Sequence, residues 1–231
     1  MEIAICDDDR VLAMRMCERI KKLVPECKIH IFENGKDFIE KNIEWDIAFL
    51  DIEMDEVNGF QVAEYLKVNQ VKCIFSFVTA HPEFAIDGYD YQPFRYILKD
   101  APDAVINRKI KENVLEFHFR NRIIEVSYKE MSRILSPYNI RWIEAGSHCV
   151  HLHTAEGIVE WGKNMDEVEK ELQEDHIVRC HRSFAINLNC ISHFANEKII
   201  LKNGSSIPVG RMYRNKIKKT YKDFNIGKSG K

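Results

Sequence analysis

Ile3-Ala4-Ile5-Cys6-Asp7-Asp8-Asp9 decides the fold: a short apolar run that stops abruptly in three carboxylates. The same grammar recurs downstream. Trp45-Asp46-Ile47-Ala48-Phe49-Leu50 ends in Asp51, Cys73-Ile74-Phe75-Ser76-Phe77-Val78 ends in Thr79, and Phe94-Arg95-Tyr96-Ile97-Leu98 ends in Lys99. Apolar runs this short, bounded by polar residues, read as buried parallel strands. Between them Leu12, Met16, Ile20 and Leu23 recur at helical spacing, as do Val62, Ala63 and Leu66, and then Val105, Ile106, Ile110 and Val114. Residues 28–32 read as a further strand, and residues 35–41 and 82–87 as short helices. A βα unit repeated five times predicts a doubly wound α/β fold, a five-stranded parallel sheet with helices on both faces. In such a sheet the ligand site lies beyond the carboxyl ends of the strands. Asp7, Asp8, Asp51, Thr79 and Lys99 are therefore expected to converge. Clustered carboxylates repel one another unless they are neutralised. A hard divalent cation with oxygen ligands does that, and Lys99 adds a fixed positive charge.

A length of 231 residues fits two ordinary domains, and 45% hydrophobic residues suffice for packed cores. No apolar run is long enough to span a bilayer. The first residues already read as a strand, so no signal peptide is expected. The seven cysteines are scattered without CxxC pairs, which predicts a reduced, cytoplasmic protein rather than a disulfide framework. Net charge is −2, but residues 122–231 hold 18 Lys+Arg against 13 Asp+Glu, leaving 16 against 23 in residues 1–121. An acidic front and a basic back point to a regulatory part joined to a polyanion-binding part, or simply to two differently solvated surfaces.

After about Arg120 the grammar changes. Residues 123–127, 133–135, 140–144, 149–154, 176–180, 191–194, 198–201 and 206–209 read as short strands, and Asn203-Gly204 as a hairpin turn. Residues 164–172 form one short amphipathic helix with Met165, Val168 and Leu172 on its inner face. Its outer face carries Asp166, Glu167, Glu169 and Glu171, which phosphates would repel. Any DNA contact is therefore expected from loops between strands. From Tyr213 onward the chain reads as a basic tail with Lys216, Lys218, Lys219 and Lys222. His151 and His153 share a strand face, with His148 in the preceding loop or at opposite parity. No Cys or carboxylate at ligand spacing completes a metal set in the sequence. Cys180, beside His181, reads as a small buried residue more readily than as a reactive thiol.

Taken in combination, the first set of residues resembles the receiver domain of two-component response regulators, over about residues 1–119. Asp7 and Asp8 match the family's acidic pair, Asp51 its phospho-acceptor, Thr79 its hydroxyl residue, Lys99 its lysine and Tyr96 its aromatic switch. Asp51-Ile52-Glu53-Met54 leads to Asn58-Gly59 as in the family's loop, with Asp55 and Asp100 standing where prolines are usual. The resemblance implies Mg²⁺ held by Asp7, Asp8, Asp51 and the backbone carbonyl of Glu53. It also implies phosphorylation of Asp51 by a sensor histidine kinase or a small phosphodonor. Thr79 would bind the phosphoryl group, Tyr96 would turn inward behind it, and the chain would form a homodimer.

Residues 122–231 resemble the LytTR DNA-binding domain, a mostly-β, ten-stranded fold with a short helix. The resemblance rests on Ile140-Arg141-Trp142-Ile143-Glu144, His148-Cys149-Val150-His151-Leu152-His153-Thr154 and Cys180-His181-Arg182-Ser183-Phe184-Ala185-Ile186-Asn187-Leu188. Leu201-Lys202-Asn203-Gly204 and Ile207-Pro208-Val209-Gly210-Arg211 close the series, with Gly210 where a serine is usual. By position, His148, Arg182 and Arg211 would read base edges of double-stranded promoter DNA. Arginine suits this because it presents two donors to guanine. Lys163, Lys202, Arg214 and Lys216 are candidate phosphate contacts. The expected product is a cytoplasmic transcriptional regulator, not a turnover enzyme. A metal-dependent phosphatase would also begin from an aspartyl-phosphate, and multiple turnover would distinguish it.

Overall fold

The computed structural model describes residues 1–41, 43–69, 71–172 and 176–229, without the side chains of Ala85, Tyr89 and residues 225–229. The chain folds into two compact units, Met1–His118 and Phe119–Lys231.

In the first unit β1 (Glu2–Cys6), β2 (Lys28–Phe32), β3 (Ile47–Leu50), β4 (Ile74–Thr79) and β5 (Arg95–Leu98) form one parallel sheet in the order β2-β1-β3-β4-β5. Side chains alternate across a strand, so β1 feeds two cores at once. Ala4 and Cys6 face one cluster with Phe38, Val62 and Leu66, whereas Ile3 and Ile5 face the other with Met16, Ile20, Ile106 and Ile110. The first cluster is covered by α2 (Gly35–Glu40) and α3 (Gly59–Val68), the second by α1 (Arg10–Leu23) and α5 (Asp103–Asn121). This explains why β1, β3 and β4 are nearly continuously apolar: there both faces of the sheet are buried. The segment after β4 differs from the expected helix. It is broken into a 3₁₀ turn (Pro82–Phe84), the four-residue α4 (Ala85–Gly88) and a second 3₁₀ turn (Tyr89–Tyr91). Among the described residues every peptide bond is trans, including Lys99–Asp100.

The second unit holds ten strands among its described residues. They are β6 (Ile124–Tyr128), β7 (Met131–Leu135), β8 (Ile140–Ala145), β9 (Val150–Thr154), β10 (Ile158–Trp161), β11 (Ile177–His181), β12 (Phe184–Asn187), β13 (Ile191–Ala195), β14 (Lys198–Leu201) and β15 (Ser206–Pro208). They form an antiparallel sheet in the order β10-β9-β8-β12-β11, a three-stranded sheet β13-β14-β15, and the β6-β7 hairpin. Helix α6 (Met165–Glu171) starts with an Asn164–Glu167 capping box and buries Met165 and Val168, next to its C-cap Leu172, against Ile143, Val150, Leu152 and Trp161.

Two strands and one helix escaped the sequence reading. β10 and β12 complete the five-stranded sheet, and the basic tail is helix α7 (Arg214–Ser229). Ile217, Tyr221 and Phe224, at i, i+4 and i+7, pack on Ile186, Ile191 and Val209, so α7 is part of the core. Ile217 is 1% exposed. Ile217→Ala should therefore cost about 2–5 kcal/mol in urea unfolding of the second unit, whereas Lys218→Ala should stay within about 0.5 kcal/mol. Equal, small effects would mean that the segment is a solvated tail.

Candidate functional site

The carboxyl ends of β1, β3, β4 and β5 lie side by side, because Cys6 pairs with Leu50, Leu50 with Phe77, and Thr79 with Leu98. Asp7 and Asp51 follow the adjacent strands β1 and β3 and are both 5% exposed, while Asp8 is exposed. One carboxylate oxygen from each of Asp7, Asp8 and Asp51 lies within 4.8 Å of the others. Lys99 Nζ stands between the buried pair, 2.8 Å from Asp7 Oδ2 and 2.7 Å from Asp51 Oδ2. The third aspartate of the run does something else: Asp9 caps α1, accepting from the N–H groups of Val11 and Leu12. The second oxygens are also held, Asp7 Oδ1 by Asp9 N at 3.0 Å and Asp51 Oδ1 by Ile52 N at 2.7 Å.

Burial pushes the carboxyls of Asp7 and Asp51 above the usual aspartate range, and the hydrogen bonds from Lys99 only partly offset this. Burial also works against the Lys99 charge, but its two carboxylate partners outweigh that and raise its pKa. The cluster thus sets three carboxylates against the one ammonium of Lys99, with Asp8 on its exposed side. That donor set, all oxygen and short of positive charge, fits Mg²⁺. The loop beyond Asp51 is pulled in tightly. A Cβ on Gly59 would stand 2.0 Å from the Asp51 carbonyl oxygen, so only glycine fits there.

Thr79 is fully buried, and its Oγ1 accepts from His81 N at 3.2 Å. Tyr96 is half-buried, and its hydroxyl donates to the His81 carbonyl at 3.1 Å. The segment that Thr79 and Tyr96 both hold carries His81, which the sequence reading missed. Its ring lies 2.8 Å from Glu53 Oε2 and 2.9 Å from Glu83 Oε1, and the hydrogen bond to Glu83 raises its pKa.

In the second unit the three expected base-reading residues are exposed and sit on neighbouring turns. His148 lies in the β8–β9 turn, Arg182 between β11 and β12, and Arg211 just after β15. Backbone hydrogen bonds knit these turns together: Ala145 N to Ser183 O and Gly210 N to Cys180 O, both 2.9 Å. No sequence motif marks Arg179. Its Nη2 donates to the Arg182 carbonyl at 2.8 Å and its Nε to the His181 carbonyl at 3.3 Å, while Nη1 pairs with Asp166 of α6. Arg179 therefore fixes the Arg182 turn and neutralises part of the acidic helix. Two candidate phosphate contacts are engaged within the protein, Lys163 with Glu171 and Arg214 with Glu197. Lys216 reaches Glu169 at 4.0 Å, and Lys202 is exposed.

Cys180 is fully buried and its thiol is pushed up to about 12 by burial, which makes it unreactive. His153 stacks on Trp142, ring centroids 4.1 Å apart. His151 does have a thiol and a carboxylate beside it, contrary to the expectation from spacing: Cys149, His151 and Glu160 each place a ligand atom within 4.8 Å of the others.

Residues 3–111 match the family model described as response regulator receiver domain, and residues 130–222 match that of the LytTr DNA-binding domain. The chain belongs to the LytTR-type response regulators. It is 24% identical over 236 residues to the sensory transduction protein LytT of Bacillus subtilis, covering 95% of this chain and 98% of the relative. It is 28% identical over 201 residues to the transcriptional regulatory protein NatR of the same organism, covering 84% and 85%. The response regulatory domain of protein mrkE from Klebsiella pneumoniae aligns with 51% of this chain and 98% of its own, at 22% identity and a TM-score of 0.48. A LytTR-type response regulator carries its receiver and its DNA-binding domain in one chain, as here.

The raised carboxyl of Asp7 has a testable consequence. A folded-state pKa above the ordinary 3.8 means that the native state binds the proton more readily than the unfolded chain. Stability from this group is present at low pH and lost as pH rises through the folded value. In chelator-treated protein the Tm of Asp7→Asn minus that of the wild type should therefore grow from about pH 4 to about pH 7. A difference that shrinks over that range would mean that the Lys99 pairing outweighs burial.

Proposed function

We propose that Asp51 accepts a phosphoryl group from a sensor histidine kinase and that this modification controls promoter binding by the second domain. The receiver spans residues 1–119 and the DNA-binding domain residues 122–231. The observation that carries this reading is the buried Asp51 carboxylate, bonded to Lys99 and within 4.8 Å of the carboxylates of Asp7 and Asp8. Asp7, Asp8, Asp51 and the Glu53 carbonyl hold Mg²⁺, which supplies positive charge to the transferring phosphoryl oxygens. One oxygen of Asp51 attacks phosphorus in line while the P–N bond to the kinase's phosphohistidine breaks and the released imidazole takes up a proton, and Lys99 donates to a phosphoryl oxygen that would otherwise bear uncompensated charge. Lys99 is already held at hydrogen-bond distance from Asp51, so it reaches the new group with little motion.

The modified side chain draws the Thr79 hydroxyl away from His81 N and toward the phosphoryl group. Tyr96, bonded to the His81 carbonyl, follows by turning inward. The switch is a local charge change that biases a two-state element. Its product is a homodimer whose paired DNA-binding domains meet two half-sites of double-stranded DNA. His148, Arg182 and Arg211 read base edges, and Lys202 contacts phosphate. The protein is a cytoplasmic regulator; Asp51 takes one phosphoryl group and loses it slowly to water, without turnover on a substrate. Among the described residues no helix is long and apolar enough to cross a membrane.

The test uses the full chain on a cognate promoter fragment. Mg²⁺ with a small acyl phosphate should tighten specific binding of the wild type, and Asp51→Asn should abolish that increment while leaving basal binding. Arg211→Ala should cost about 1–3 kcal/mol on the cognate site only, whereas Lys202→Ala should weaken specific and non-specific binding alike. A phosphodonor effect that persists in Asp51→Asn would place the acceptor elsewhere, and an equal loss on both DNAs for Arg211→Ala would make that arginine a phosphate anchor.

A further inference from the structure

Strands β9 and β10, with the residue just before β9, carry a second cluster of ligating side chains, on the face of the sheet opposite its core. Val150 and Leu152 of β9 point into the core with Ile143 and Trp161. His151, of opposite parity, faces the other way. Its direct cross-strand partners are Glu144 on β8 and Glu160 on β10. The imidazole is thus flanked by a carboxylate on each neighbouring strand. Cys149, just before β9, brings its sulfur to within 4.8 Å of the His151 and Glu160 ligand atoms.

Two details separate this cluster from an ordinary surface ion pair. Glu144 is engaged by His153, whose Nε2 lies 3.3 Å from its Oε2, so Glu160 is the carboxylate left for His151. His151 Nε2 and Glu160 Oε1 are 3.6 Å apart, too far for a good hydrogen bond. Tetrahedral bonds of about 2.0–2.3 Å place two ligand atoms of one ion roughly 3.3–3.8 Å apart. The spacing is therefore that of two ligands around a shared ion. The turn also closes over the ring: a Cβ on Gly146 would stand 3.3 Å from His151 Nε2, and Gly146 N donates to the Cys149 carbonyl at 2.9 Å.

We propose that Cys149, His151 and Glu160 form a binding site for a zinc-class divalent cation, with water as the fourth ligand. A thiolate, an imidazole and a carboxylate form a borderline-soft set that suits Zn²⁺ and is wrong for Mg²⁺. It is thus chemically distinct from the all-oxygen set of the receiver. On binding, the Cys149 thiol releases its proton to solvent, His151 binds through a neutral ring nitrogen, and Glu160 binds as the carboxylate. The ion adds a side-chain tie between the turn that presents His148 and the β10 edge strand, beside the β9–β10 backbone pairing.

The test is titration of chelator-stripped full-length protein with Co²⁺, a spectroscopic stand-in for Zn²⁺. One equivalent should develop a thiolate-to-cobalt charge-transfer band together with the visible bands of tetrahedral cobalt, and Zn²⁺ should displace both. Cys149→Ser should remove the charge-transfer band. Glu160→Gln, an exposed change that leaves the fold intact, should weaken Zn²⁺ binding by roughly tenfold or more. Asp8→Ala in the receiver should leave the band unchanged. Absence of the band at one equivalent, its persistence in Cys149→Ser, its loss in Asp8→Ala, or unchanged Zn²⁺ affinity in Glu160→Gln would each overturn the site.

Discussion

The receiver is organised around one ammonium group shared by two buried carboxylates. Lys99 Nζ touches both Asp7 and Asp51, each almost removed from solvent. Removing a carboxylate from water is costly, and one cation cannot fully compensate for two of them with a third nearby. The sheet imposes this geometry. Its strand order puts β1 beside β3, at the point where the order reverses, so the residues that follow those strands must be neighbours. The imbalance favours any partner that brings positive charge to the pocket.

The second unit solves a different problem, the presentation of a few side chains from turns with an acidic helix nearby. The turns are bonded to one another through their backbones, Ala145 to Ser183 and Gly210 to Cys180. Arg179 then makes the arrangement compatible with a polyanion. One end of its guanidinium takes up Asp166, and the other holds the Arg182 carbonyl. The contribution of Arg179 is thus indirect: it orients the residue that faces solvent and discharges the residue that would repel phosphate.

The receiver was legible because its inner strands β1, β3 and β4 are buried on both faces, so a nearly continuous apolar run signals each of them. Asp7, Asp51 and Lys99 could be brought together from the sequence because each directly follows a strand, and Thr79 because it ends one. His81 could not, since its role comes from Glu53 and Glu83, brought beside it by the loops. In the second unit β10 escaped because it is an edge strand: Ile158 is 60% exposed, and only Trp161 is buried. β12 is four residues long and ends in Asn187, whose polar side chain is buried by bonding the Ile140 carbonyl. Helix α7 was masked by its lysines, although Ile217, Tyr221 and Phe224 carry the helical period. The Cys149–His151–Glu160 cluster is a cross-strand product. Glu160 joins it through the register of β9 and β10, which no spacing along the chain encodes.

The central claim is that, of the two buried carboxylates sharing Lys99, Asp51 is the one that becomes phosphorylated. Borohydride reduces an aspartyl phosphate to homoserine, which leaves a permanent mass change at the modified residue. Full-length protein treated with Mg²⁺ and a small acyl phosphate, reduced at once and mapped by peptide mass spectrometry, should carry homoserine at position 51 and at no other aspartate. Homoserine at Asp7 or Asp8, or at none of the three, would contradict the account.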